Sequence, residues 1–187
     1  MAELIADLFV SLDGFAGAVN TGAFFGYGGP ELDTWVRDTL EQPQVIVMGR
    51  VTYEALAAMS MAAADEGSIR MNELPKAVVS RTLVEPLAWP NTRLIGGDLG
   101  AEIRALKSES PDPLRTIGSM ALVNSMMKLG LVDLLRFTIF PLTLGPDGRE
   151  PIYAGYARAG YDLVEARVLD ARLVMLEYRP LDAGRSA

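Results

Sequence analysis

Four short apolar runs in this chain each end in residues that can hold an anion. Val45–Met48 runs into Gly49-Arg50-Val51-Thr52, and Ala77–Val79 into Ser80-Arg81-Thr82. Thr92–Ile95 leads to Gly96-Gly97-Asp98, and Leu114–Ile117 to Gly118-Ser119. Each corner offers what a phosphate group takes: open backbone N–H groups at a helix start, a hydroxyl or a guanidinium. Taken singly, Gly, Ser and Thr at such corners are ordinary turn chemistry. Turns have no use for arginine, however, and two corners place one directly after the strand. If the runs are strands of one open α/β sheet, their carboxyl ends share a rim, where ligands bind in such sheets.

The rim belongs to an acidic protein, with 17 Lys and Arg against 24 Asp and Glu and a net charge of −7. Its three lysines, Lys76, Lys107 and Lys128, are far apart, so no basic stripe is available for nucleic acid. The absence of cysteine excludes disulfides, thiolate metal sites and a cysteine nucleophile. The absence of histidine removes the commonest metal ligand and the commonest general base. No carboxylate cluster has metal-ligand spacing, and no metal is expected. Any catalysis must run on Asp, Glu, Lys, Tyr, Ser or Thr, or on a borrowed cofactor. The glycine fingerprints of dinucleotide folds and P-loops are missing, as is the serine elbow of hydrolases. Gly96-Gly97-Asp98-Leu99-Gly100 is only a partial echo of the first. The start, Met1-Ala2-Glu3-Leu4, lacks a basic region, Asp7 interrupts the first apolar run, and no apolar stretch reaches the roughly 18 residues of a membrane span. A soluble, cytoplasmic protein without membrane contact is expected.

At 187 residues the chain is expected to form a single domain over 1–180, with a flexible tail at 181–187. Leu4–Leu12 reads as a first strand, followed by a Gly- and aromatic-rich stretch to Gly29 that reads as a functional loop. Pro30 opens a helix carrying Leu32, Trp35, Val36 and Leu40 at helical spacing. A second helix is expected over Thr52–Met59, whereas residues 60–73 show no clear period. Further strands fall at Lys76–Ser80, Thr92–Gly96, Leu114–Ile117 and Leu134–Phe140. Asp98 and Ser119 are placed as N-caps of the helices that follow. Tyr161–Leu169 and Arg172–Tyr178 read as a hairpin around Asp170-Ala171. The whole is an α/β chain with a mostly parallel sheet and an antiparallel edge. Apolar Leu173–Leu176, read as that edge, predicts a homodimer.

Several of these segments carry a family resemblance. Gly49-Arg50-Val51-Thr52-Tyr53-Glu54 after an apolar strand resembles the cofactor loop of dihydrofolate reductases. It resembles still more the reductase domain at the C-terminus of the bifunctional riboflavin-pathway deaminase-reductases. Val10–Phe15, Met71–Thr82, Gly118–Val123, Gly130–Asp133 and Phe140–Gly145 agree in order and spacing, so the resemblance covers about residues 4–178. It implies a three-layer dihydrofolate reductase-like fold that binds NADPH and reduces a small heterocycle or a ribosylamino-pyrimidine. A pterin reductase and a non-catalytic nucleotide-binding module are the alternatives.

The same resemblance assigns roles by position. Gly49, Arg50 and Thr52 meet the cofactor phosphates, and Ser80, Arg81 and Thr82 face the adenosine 2′-phosphate. Gly97 and Asp98 border the groove, and Gly118, Ser119, Met120, Ala121 and Leu122 wrap the pyrophosphate. Glu31 corresponds to the acid that anchors and protonates the ring, Thr138 to its threonine partner, and Trp35 lies one turn along the helix. Asp13 and Phe15 fall at the nicotinamide end. Without the resemblance, Glu31 is an acid favoured in a first helical turn by the macrodipole, and Asp13 is a turn residue. In the reductase reading, burial beside Trp35 raises the Glu31 pKa, as a proton carrier requires.

Overall fold

The computed structural model describes residues 1–19, 21–154 and 159–181, so most of the expected tail, Asp182–Ala187, lies outside the described residues. Eight strands form one sheet: β1 (Leu4–Ser11), β3 (Val45–Gly49), β4 (Lys76–Val79), β5 (Thr92–Ile95), β6 (Leu114–Thr116), β7 (Leu134–Phe140), β9 (Tyr161–Leu169) and β10 (Leu173–Pro180). Their order is β5-β4-β3-β6-β1-β7-β10-β9. The first six run parallel, and β10 and β9 close the sheet antiparallel. β3, buried along its whole length, is a continuous apolar run, the pattern of a strand covered on both faces.

Among the described residues five helices cover the sheet: α1 (Pro30–Glu41), α2 (Arg50–Ala62), α3 (Glu66–Glu73), α4 (Leu99–Glu109) and α5 (Met120–Lys128). Alternate β1 residues Leu4, Ala6, Leu8 and Val10 pack with Ile103 and Leu106 of α4 and Met120, Val123 and Met126 of α5. On the opposite face Ile46 and Met48 meet Tyr53 of α2 and Trp89, and Phe140, Leu173 and Met175 meet Leu32 of α1. Three layers result, as expected.

Several boundaries differ from the expectation. The Gly-rich stretch is not all loop: β2 (Phe15–Ala18) pairs antiparallel with β8 (Gly148–Pro151), and Ala23–Gly26 forms a tight turn with Phe24 and Phe25 in the left-handed region. α2 begins at Arg50 and extends to Ala62. Residues 60–73, without a readable period, include α3, capped by Asp65, whose carboxylate accepts from Ser68 N at 3.0 Å. The apolar segment Leu173–Leu176 is not the edge. β10 lies between β7 and β9, with Leu173 and Met175 buried, and β9 is the outer strand.

α1 is capped from far away. The Asp170 carboxylate, in the β9–β10 turn, accepts from the N–H groups of Glu31 and Leu32, both at 3.0 Å. Glu31 returns the bond, accepting from Asp170 N through Oε2. Gly29 makes room: a Cβ there would collide with the Asp170 carboxylate.

Candidate functional site

The four corners do converge. A groove of about 370 Å³ at the carboxyl ends of the strands is bounded by Gly49 and Arg50 after β3 and by Ser80 and Arg81 after β4. Gly97 after β5, and Ser119, Ala121 and Leu122 at the start of α5, complete it. The helix starts differ in a way that matters. α3 and α4 are capped by Asp65 and Asp98, the latter accepting from Ala101 N at 2.7 Å. α2 and α5, which open onto the groove, have Gly49 and Ser119 at the N-cap position and no side-chain cap. Ser119, expected to cap α5 through its hydroxyl, does not. First-turn N–H groups left without a cap are donors for an anion, reinforced by the helix dipole.

The side chains around the groove are in varied states. The Ser80 hydroxyl accepts from Thr82 N and Leu83 N at 3.1 and 3.0 Å, which bends the chain and sends Arg81 outward. Arg81 is exposed and, among the described residues, its guanidinium makes no hydrogen bond or ion pair. Arg50 is exposed and paired with Glu54 one turn on, at 2.9 Å. Gly97 N donates to Glu102 at 2.6 Å and Asp98 is occupied as a cap, so the glycine echo serves the start of α4. Thr52, Gly118 and Met120 do not line this groove; they border a smaller cavity of about 160 Å³ that shares Ser119 with it. Gly118 has φ +118°, and a Cβ there would lie 3.0 Å from the Thr52 hydroxyl, so glycine is required at that corner.

The expected ring-binding end is arranged differently. Glu31 is exposed and bonded to the Asp170 backbone, not buried beside Trp35, because its carboxylate completes the cap of α1. Thr138 is fully buried and, among the described residues, its hydroxyl has no hydrogen-bond partner, so the expected Glu31–Thr138 pair is not formed. The Asp13 carboxylate accepts from Ser11 Oγ at 2.7 Å, Leu144 N at 3.0 Å and Gly145 N at 2.8 Å. The Ser11 hydroxyl foremost, with Gly145 N–H, holds it below the usual carboxylate range. Asp13 thus ties the end of β1 to the loop after β7. Phe15, half-buried, packs over Gly148 in the β2–β8 ribbon.

Trp35 has charged company instead. Arg115 of β6 and Arg136 of β7 lie over its ring, 5.6 and 5.5 Å from the centroid. Both donate to Oδ2 of Asp7 on β1, between them, Arg136 at 3.1 Å, and Arg136 also reaches Glu177 on β10 at 2.7 Å. Burial works against the Arg136 charge, but Asp7 and Glu177 prevail and raise its pKa above the ordinary guanidinium value. This belt crosses four adjacent strands under α1 and borders a cavity of about 1120 Å³ lined by Trp35, Arg115 and Arg136.

A family profile for the RibD C-terminal domain matches residues 2–175. The chain belongs to the RibD C-terminal domain family. A protein provisionally assigned to riboflavin biosynthesis, from Shewanella sp. PV-4, superimposes with a TM-score of 0.78 at 22% identity, over 97% of this chain and 100% of the other. Dihydrofolate reductase from Enterococcus faecalis, solved with NADP(H), gives 0.64 at 14% identity, over 96% and 97%. At such identities the likeness is one of fold, and the fold is dihydrofolate reductase-like. In sequence, the uncharacterized protein YyaP of Bacillus subtilis (strain 168) is 25% identical over 181 residues, 94% of each chain.

Within this RibD C-terminal domain, reading by sequence missed Asp7, Arg115, Arg136 and Glu177. A signal was present: each of the first three is a lone charge inside an otherwise apolar strand, where charges seldom sit unless paired. Among the described residues, no group of acids is arranged to hold a metal ion, and no helix is long and apolar enough to cross a membrane.

Proposed function

We propose that this chain is an NADPH-dependent reductase of the riboflavin-pathway reductase type, working in the cytoplasm. It passes hydride to a small heterocyclic or ribosylamino-pyrimidine substrate. The reading is carried by the pair of uncapped helix starts, α2 and α5, opening onto the groove that also holds Ser80 and Arg81. Their backbone donors suit a pyrophosphate. Arg81, free of other partners among the described residues, suits the additional 2′-phosphate that distinguishes NADPH from NADH. The cofactor, when bound, supplies the hydride, a role no amino-acid side chain fills. Arg50 would exchange its exposed Glu54 partner for a phosphate, a trade that surface ion pairs of little net worth permit. Thr52 and Gly118 border the small cavity beside the groove, so the reacting end of the cofactor would lie at its mouth, facing a ring held inside.

The test is loss of reduced-nicotinamide absorbance with a panel of pyrimidines and pterins. Turnover with a ribosylamino-pyrimidine is expected. Tight NADPH binding with no oxidation by any of them would instead support a nucleotide-binding module. Arg81→Ala is expected to lower the NADPH-over-NADH preference by about tenfold, the worth of one charge-assisted contact. An unchanged preference removes Arg81 from the cofactor site.

We also propose a homodimer, formed across β9 in place of the edge first expected. β9 ends the sheet and exposes Leu163, Val164 and Val168, an unprotected edge that a second copy can extend. Sedimentation equilibrium is expected to show a dimer at micromolar protein. Ala166→Pro, which removes an edge N–H, is expected to shift it toward monomer. A wild-type monomer ends this proposal.

A further inference from the structure

Asp7 sits in the middle of β1 with a side chain only 2% exposed. Its Oδ2 accepts from Arg115 and Arg136, while Oδ1, equally buried, has no hydrogen-bond partner among the described residues. Folded chains rarely leave a carboxylate oxygen in that condition without a use for it. Asp7 lines the cavity of about 160 Å³ beside the cofactor groove, together with Phe9, Thr52, Arg115, Ile117 and Gly118. A cavity of about 150 Å³ is enough for one six-membered ring.

The chemistry of the walls narrows what that ring can be. Arg115 uses Nε on Asp7, and among the described residues neither Nη1 nor Nη2 donates a hydrogen bond. Asp7 and Arg115 both line the cavity, so a small opening of its wall would present an acceptor, the buried Asp7 Oδ1, and guanidinium donors from the same ion pair. Asp7 and Glu177 balance Arg115 and Arg136, and Glu150 adds a further carboxylate to the cavity wall, so nothing there favours an anion. A neutral, planar heterocycle with an N–H beside a C=O matches this pattern. Phe9 gives it an apolar neighbour, and Arg115 links the small cavity to the larger one under α1, where ring substituents have space.

We propose that Asp7 and Arg115 recognise the substrate ring of this reductase: Oδ1 accepts a ring N–H, and the Arg115 guanidinium donates to the adjacent carbonyl. The pair takes the anchoring role that the resemblance gave to Glu31, which the Asp170 turn has occupied. This inference rests on the reductase reading above and adds to it the residues that choose the substrate. Asp7 acts as an acceptor and transfers no proton in this scheme.

The full-length protein is titrated with NADPH by nicotinamide fluorescence. It is then titrated with 5,6-diaminouracil and its 1-methyl and 3-methyl derivatives by calorimetry, with and without NADPH. Failure of NADPH to bind removes the cofactor reading alone, because the base titrations on free protein still report on the cavity. The unmodified base is expected to bind, with one of the two methyl derivatives weaker by about tenfold or more. Equal affinity for all three, or no binding of any, overturns the proposal. In Asp7→Asn the amide oxygen must face the two guanidinium groups, which turns its NH2 to the cavity. Affinity for diaminouracil is then expected to fall about tenfold or more while NADPH affinity stays within about twofold. Preference should pass to 2-hydroxy-4,5,6-triaminopyrimidine, which offers a ring-nitrogen acceptor. An unchanged preference in the folded variant also overturns the proposal, and should the variant not fold, the methyl series on the wild type decides alone.

Discussion

Trp35 and Trp89 both carry cations on their faces, yet their surroundings differ in kind. Lys76 lies 4.7 Å from the Trp89 ring centroid and donates to the carbonyls of Met71, Asn72 and Leu74 at 2.7, 3.1 and 2.6 Å. Trp89 itself is 1% exposed, and its Nε1 donates to Asn72 at 2.7 Å. That cluster is closed: cation, indole and helix end satisfy one another. Around Trp35 the stacking is similar, but among the described residues Asp7 Oδ1 has no partner, and a large cavity adjoins the ring. A cation on an indole face is therefore no sign of a site. A buried polar atom left over, next to open space, is what separates the two.

The contrast can be broken at several points. The largest effect is expected from Trp89→Ala, which should cost about 3–5 kcal/mol in urea unfolding while leaving NADPH affinity of the folded protein unchanged. A loss of binding there would mean that the closed cluster also serves the groove. Lys76→Met should cost about 1–3 kcal/mol by stranding the carbonyls that end α3. Desolvation lowers the Lys76 pKa to about 8, below its unfolded value, so the unfolded chain holds the extra proton above that pH. Stability should accordingly rise with pH from about 8 toward about 10.4, and thermal melts of wild type and Lys76→Met should diverge across that window. A constant difference would show that Lys76 stays charged in the fold. Thr138→Val, replacing an unpartnered hydroxyl with a methyl of the same shape, should be neutral or stabilising by up to about 1 kcal/mol. A clear loss would show that the hydroxyl has a partner after all.

Much of the sheet was legible because buried parallel strands appear as apolar bursts followed by Gly, Ser or Arg. The groove followed from the same corners. The charged belt was not legible, since Asp7, Arg115, Glu177 and Arg136 become neighbours only once β6, β1, β7 and β10 are set side by side. β2 and β8 were missed for a similar reason: Phe15 pairs with Pro151, and neither short segment alternates. Glu31 was misplaced because a first-turn acid looks the same whether it faces a ligand or a turn 139 residues away.

That distant turn has a consequence for how the chain is made. Synthesis delivers Pro30–Glu41 to the ribosome exit long before Asp170 exists. Until the β9–β10 hairpin emerges, the amides of Glu31 and Leu32 lack the carboxylate that caps them. The start of α1 is thus finished by a turn made 139 residues later. A chain stopped short of Asp170 would lack the cap of α1 as well as β10.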